Sequence, residues 1–95
     1  MEDPDGKPYD RRPMKNRTVA VAFGRVLRET RLSKQLSQET LAARAGLDRT
    51  YPSLLERGQR QPTLTVLLAV AEALEVPPAG MVNKTVAECR RLARK

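Results

Sequence analysis

Two helix-forming stretches stand only a glycine and a leucine apart. The first opens at Ser37, carries Leu41, Ala42 and Ala45 on one face and stops at Gly46, and Asp48 then caps the next after Leu47. So short a turn forces the two helices to cross steeply, and the crossing has room only for small residues. Ala42, Ala45 and Gly46 meet that requirement, while Leu41, Leu47 and Leu55 supply an apolar seal. The local chemistry agrees with the spacing. Ser37 is a good N-cap, Glu39 complements the helix dipole in the first turn, and Gly46 suits the left-handed position after a helix.

The flanking sequence reads as helix as well. Ala22, Phe23, Val26 and Leu27 share a face opposite Arg25, Arg28 and Glu29, predicting a first helix over about 19–32. The third helix, begun by Asp48, ends near Arg57 and is closed by Gly58. Thr63, after Pro62, caps a fourth, in which Leu64, Leu67, Leu68, Ala71 and Leu74 make an apolar stripe. Pro77 and Pro78 end it, and a last helix runs from Pro78 or Ala79 to about Ala93 with Val82, Val86, Cys89 and Leu92 along one side. Aromatics are only 3% of the 95 residues, so the core must be built from Leu, Val and Ala. That favours close-packed helices over sheets, which prefer aromatic and β-branched residues. The expectation is an all-α, compact five-helix bundle with a helix-turn-helix. Residues 1–17, with Pro4, Gly6, Pro8 and Pro13, read as a flexible arm, 18–80 as the helix-turn-helix domain and 81–95 as a basic C-terminal helix.

The formal net charge is +7, which attracts polyanions. Much of the excess lies near the C-terminus, where Lys84, Arg90, Arg91, Arg94 and Lys95 face one acid, Glu88. Several function classes lose support. With no histidine and one cysteine, neither a nucleophile–base pair nor a metal-ligand set can be assembled, and no glycine-rich phosphate loop is present. The reading is therefore no enzyme, no metal and no cofactor. A lone Cys89 allows no intrachain disulfide and suits a reducing cytoplasm. No apolar run approaches the roughly 18 residues that a membrane span needs, and residues 1–10 hold no secretory signal.

Leu36-Ser37-Gln38-Glu39-Thr40-Leu41-Ala42, then Ala45-Gly46-Leu47-Asp48-Arg49-Thr50-Tyr51 and Leu54-Leu55-Glu56-Arg57-Gly58, resemble the Cro/repressor (XRE) helix-turn-helix family. The resemblance runs from about Phe23 to Met81 and includes Pro62-Thr63-Leu64. It implies a lambda-repressor-like DNA-binding domain of the kind used by phage repressors, restriction–modification controller proteins and antitoxins. By that resemblance Gln38 begins helix 2 at a phosphate. Arg49, Thr50, Ser53 and Leu54 take exposed recognition-helix positions, and Arg57, Gln59, Arg60 and Gln61 follow the DNA backbone. Arg31 and Glu56 match a structural arginine–glutamate pair.

The residues leave alternatives open. The fork of Arg49 can take guanine O6 and N7 together, or bind phosphate, or pair with Asp48. Thr50 and Ser53 can serve phosphate or base, and Leu54 can meet a thymine methyl or pack inside. Gln38 can equally be an ordinary solvated residue. Pro52 departs from the family, which usually has Ile or Val there. It lacks the N–H for the Asp48 carbonyl and biases Tyr51 away from α geometry, so helix 3 begins in a 3₁₀ turn or starts late at Pro52. Arg11, Arg12, Lys15 and Arg17 either track a minor groove or are simply solvated, diluted by Glu2, Asp3, Asp5 and Asp10. The basic C-terminal cluster either nears phosphates or only aids solubility. Val82, Val86, Cys89 and Leu92, extended by Val76 and Met81, either pair two copies of the chain or fold back onto helices 1 and 4. The expected function is a cytoplasmic, nucleoid-associated, sequence-specific transcription regulator, a repressor that binds double-stranded DNA as a homodimer. The alternative is an antitoxin or adaptor whose main role is binding a partner protein.

Overall fold

Helical periodicity becomes five helices within residues 15–94, the part that the computed structural model describes: α1 (Asn16–Ser33), α2 (Gln38–Ala45), α3 (Tyr51–Glu56), α4 (Leu64–Leu74) and α5 (Pro78–Ala93). Most of the expected N-terminal arm, including Arg11 and Arg12, lies outside the described residues. Its last members, Asn16 and Arg17, instead open α1, which starts earlier than the apolar spacing alone suggests. Ala20, within the expected range, joins the buried face ahead of Ala22.

Helices α1 to α4 end in the same way. A residue in the left-handed region turns the chain, and the next N–H reaches back to a carbonyl five residues earlier, as Leu36 does to Arg31 and Leu47 to Ala42. Gly46 and Gly58 fill this position after α2 and α3 at φ 69° and 71°. After α1 and α4 it is held by Gln35 and Glu75, at φ 58° and 57°. Those side chains find the region costly, so packing holds the turns. N-terminal caps at Ser37 and Thr63 accept from the Thr40 and Val66 N–H groups.

α1 lies between α3 and α5, while α2 packs against α3 and α4. Phe23, Val26 and Leu27 meet Leu41, Leu55, Val70, Ala71, Leu74 and Met81 in the core. The α4 stripe is narrower than expected. Val70, Ala71, Ala73 and Leu74 are buried, but Leu64 and Leu68 remain 71% and 47% exposed because the first turns of α4 overhang the bundle. α5 turns Met81, Thr85 and Cys89, spaced one turn apart, into the bundle, where its main neighbour is α1. Cys89 is therefore buried within its own chain. Burial pushes its thiol up, keeping it neutral. The division drawn at residue 80 falls inside α5. Across the α1–α5 seam, Glu88 accepts from Arg25 at 3.1 Å and from Arg91 of its own helix. Chiefly through Arg91, its carboxyl is held down to about 2.

α1 and α3 come close together at Gly24. A Cβ there would collide with the Leu55 carbonyl oxygen and stand 2.8 Å from that of Glu56. Both are backbone atoms at the end of α3, so neither can swing aside. Gly24→Ala should cost about 2–4 kcal/mol by prying α1 from α3. Thermal unfolding followed by circular dichroism measures this, and a melting temperature equal to wild type would contradict it.

Candidate nucleic-acid interface

The turn between α2 and α3 determines how the second helix is presented. Gly46 ends α2, Leu47 is partly buried against the core, and Asp48 begins a tight turn in which its carbonyl accepts from the Tyr51 N–H at 3.0 Å. The Asp48 carboxylate accepts from the Thr50 N–H at 3.0 Å and from the Thr50 hydroxyl. Those two bonds, the hydroxyl's first, hold the carboxyl below its usual range. Asp48 thus shapes the turn, and the cap position of α3 passes to Thr50, whose side chain makes no cap bond. The helix starts at Tyr51, one residue before Pro52. A proline in a first turn loses no helical hydrogen bond, and Pro52 is fully buried there. The cost is length, since α3 has six residues.

Most of the candidate DNA contacts gather around this short helix. Gln38, Arg49, Thr50, Ser53, Leu54 and Arg57 line one open groove between α2 and α3. Arg57, Gln59, Arg60 and Gln61 line a neighbouring depression, shared with Asn16 and Arg17 of α1. Arg49, Thr50 and Arg57 are exposed, whereas Ser53 and Leu54 are half-buried. Glu39 also lines the groove. Its place in the first turn of α2 was readable as dipole chemistry, but its position opposite α3 needed the fold.

Behind the groove, Arg31 and Glu56 form a two-pronged ion pair with N–O distances of 2.6 and 3.0 Å. Their side chains are only 9% and 3% exposed. Arg31 spends a third N–H on the Leu36 carbonyl at 2.7 Å, and Glu56 also accepts from the Gln38 amide at 3.1 Å. The hydrogen bonds to Glu56 raise the Arg31 pKa. Gln38 is therefore anchored from within, with one amide hydrogen left over.

The α5 residues lie elsewhere. Val82, Val86 and Cys89 line an apolar groove with Phe23 of α1 and Leu64 and Leu67 of α4. Val82 is 44% exposed, Val86 and Leu92 are half-buried, and Cys89 is buried. Among the described residues, no His, Cys, Asp and Glu group is placed to hold a metal ion, and no single helix is long and apolar enough to cross a membrane.

The sequence pattern of the helix-turn-helix family is matched by residues 27–81. Control protein C.BamHI of Bacillus amyloliquefaciens is 37% identical over 75 residues, which are 77% of this chain and 93% of that protein. The crystal structure of the restriction-modification controller protein C.AhdI from Aeromonas hydrophila superposes with a TM-score of 0.64 at 50% identity, covering 65% of this chain and 94% of that one. The controller protein C.Esp1396I, crystallised as a tetramer with its natural 35-base-pair operator, superposes with a TM-score of 0.68 at 32% identity, covering 75% and 93%.

Removing one member of a buried ion pair strands the other, which commonly costs ~3–5 kcal/mol. Glu56→Ala leaves the Arg31 guanidinium unpaired at the α1–α3 seam and frees the Gln38 amide. The variant should melt well below wild type in a calorimeter. An unchanged transition would mean the pair adds nothing to stability.

Proposed function

The chain belongs to the helix-turn-helix family of DNA-binding transcription regulators, and from that premise we propose that it binds a two-fold operator as a homodimer and represses transcription there. The observation that carries this is the groove between α2 and α3, where Gln38, Arg49, Thr50, Ser53 and Arg57 line one surface. With α3 in a major groove, exposed Arg49 can place its fork on guanine O6 and N7. Gln38 and the start of α2 meet a phosphate, and the basic 57–61 loop follows the backbone. Leu54 is half-buried and leaves an edge for a thymine methyl.

Pairing of two copies is supported by the apolar surface beside that loop. Leu64, Leu68 and Val82 are exposed, and Val86 and Leu92 are partly so. A two-fold contact there would bring like residues together and set two recognition helices about 34–36 Å apart, one turn of DNA. The C.Esp1396I operator complex, a tetramer, shows that a relative assembles on DNA. None of the three relatives described above is named as an antitoxin or adaptor. The proposed role requires no catalysis and no cofactor, and it is carried out in the cytoplasm at the nucleoid.

Duplex binding should fall steeply with salt, because phosphate contacts release counterions. Arg49→Ala should weaken binding to the cognate site far more than to random duplex, by about 1–3 kcal/mol of discrimination. Gln38→Ala should weaken both by a similar factor. Fluorescence anisotropy on the two duplexes measures this, and equal losses for Arg49→Ala would make it a phosphate contact. Val86→Glu should sediment as a folded monomer with poor operator binding. An unchanged dimer would refute the surface, and an unfolded chain would place Val86 in the core.

A further inference from the structure

At Thr50, Tyr51 and Pro52, where α3 begins, no backbone donor is free. The Thr50 N–H is bound by the Asp48 carboxylate and the Tyr51 N–H by the Asp48 carbonyl, both at 3.0 Å, and Pro52 has none. A helix start ordinarily presents such groups to phosphates, and these three positions present none. The Thr50 hydroxyl is committed too, since it donates its one hydrogen to the same Asp48 carboxylate oxygen. A bond to a charged acceptor is among the stronger kinds. What remains on the exposed Thr50 hydroxyl, in the groove beside Arg49 and Ser53, is acceptor capacity alone.

That polarity selects its target. Phosphate oxygens, guanine O6 and N7, and thymine O4 are all acceptors, and Thr50 has nothing left to donate to them. The donors on the major-groove edge are the exocyclic amino groups, N6 of adenine and N4 of cytosine. We infer that Thr50 reads a base by accepting from the amino group of an adenine or cytosine, and that Asp48 is the positioning residue that fixes this polarity. The inference rests on α3 entering the major groove. Arg49, which has donors and no acceptors, stands next to Thr50, so adjacent positions of the turn ask opposite things of the DNA.

The test begins by selecting duplexes from a random library with the full chain. Binding is then measured on the selected duplex, on single-base changes, and on a version lacking the amino group at each adenine or cytosine. One position per half-site should require adenine or cytosine. Loss of its amino group should cost wild type about fivefold, the worth of one hydrogen bond, and cost Thr50→Val nothing. Asp48→Ala releases the hydroxyl hydrogen and should accept thymine or guanine at that position. Asp48→Asn keeps a carbonyl that can accept from Thr50 and should retain the preference. The Thr50→Val comparison decides the matter even if Asp48→Ala does not fold. If Thr50→Val weakens selected and random duplexes alike, or folded Asp48→Ala keeps the wild-type preference, the inference is overturned while DNA binding stands. If wild type enriches no sequence, the operator reading falls and this inference falls with it.

Discussion

The Arg31–Glu56 ion pair joins three parts of the molecule that would otherwise be independently hinged. Arg31 sits near the end of α1, Glu56 closes α3, and the same network reaches the Leu36 carbonyl and the Gln38 amide on either side of the α2 cap. Taking both charges out of water is costly, and the cost is offset only where the remaining hydrogen-bonding capacity is used. Here three guanidinium N–H groups and both carboxylate oxygens have partners, and no buried side-chain polar atom among the described residues lacks one. A helix of six residues has little stability of its own. Its orientation is borrowed from this pair and from the close approach of Gly24 to its last carbonyls.

That arrangement separates two surfaces of different chemistry. The groove between α2 and α3 is edged by arginines, hydroxyls and an amide, and its floor rests on the buried pair. The groove among α1, α4 and α5 is lined by Val, Leu and Phe side chains, with Gln61 to Thr63 at its rim. The two meet at the loop after α3, so a contact made on the apolar side would constrain where that loop stands against DNA. Cys89 lies buried at the base of the apolar groove. It is one of a row of α5 residues that α1 covers, and Glu88 beside it ties the two helices with a charge that persists to low pH.

Much of the fold was legible because its signals are local. Ser37 and Thr63 cap their helices, Gly46 and Gly58 stop theirs, and Phe23, Val26 and Leu27 mark the buried side of α1. Less legible were the turns at Gln35 and Glu75, where an ordinary side chain holds a left-handed backbone because neighbouring packing insists on it. The stripe on α4 misled for a related reason. Periodicity reports which side of a helix is apolar but not what packs over it, and the described residues leave Leu64 and Leu68 largely uncovered.

What the sequence by itself determined is the order of the elements, the short turn between α2 and α3, and which polar side chains are proposed for contact with DNA. Spacing, caps and residue size act over a few positions, so one sequence carries them. Tertiary structure alone decided how those residues are partnered. It placed Gln38 on Glu56, buried Cys89 beneath α1, and moved the start of α3 to Tyr51 while Asp48 took up the hydroxyl and N–H of Thr50. A polar side chain can be read from sequence as a donor, an acceptor or both. Which of these it still offers depends on what the folded chain has already placed within hydrogen-bond reach.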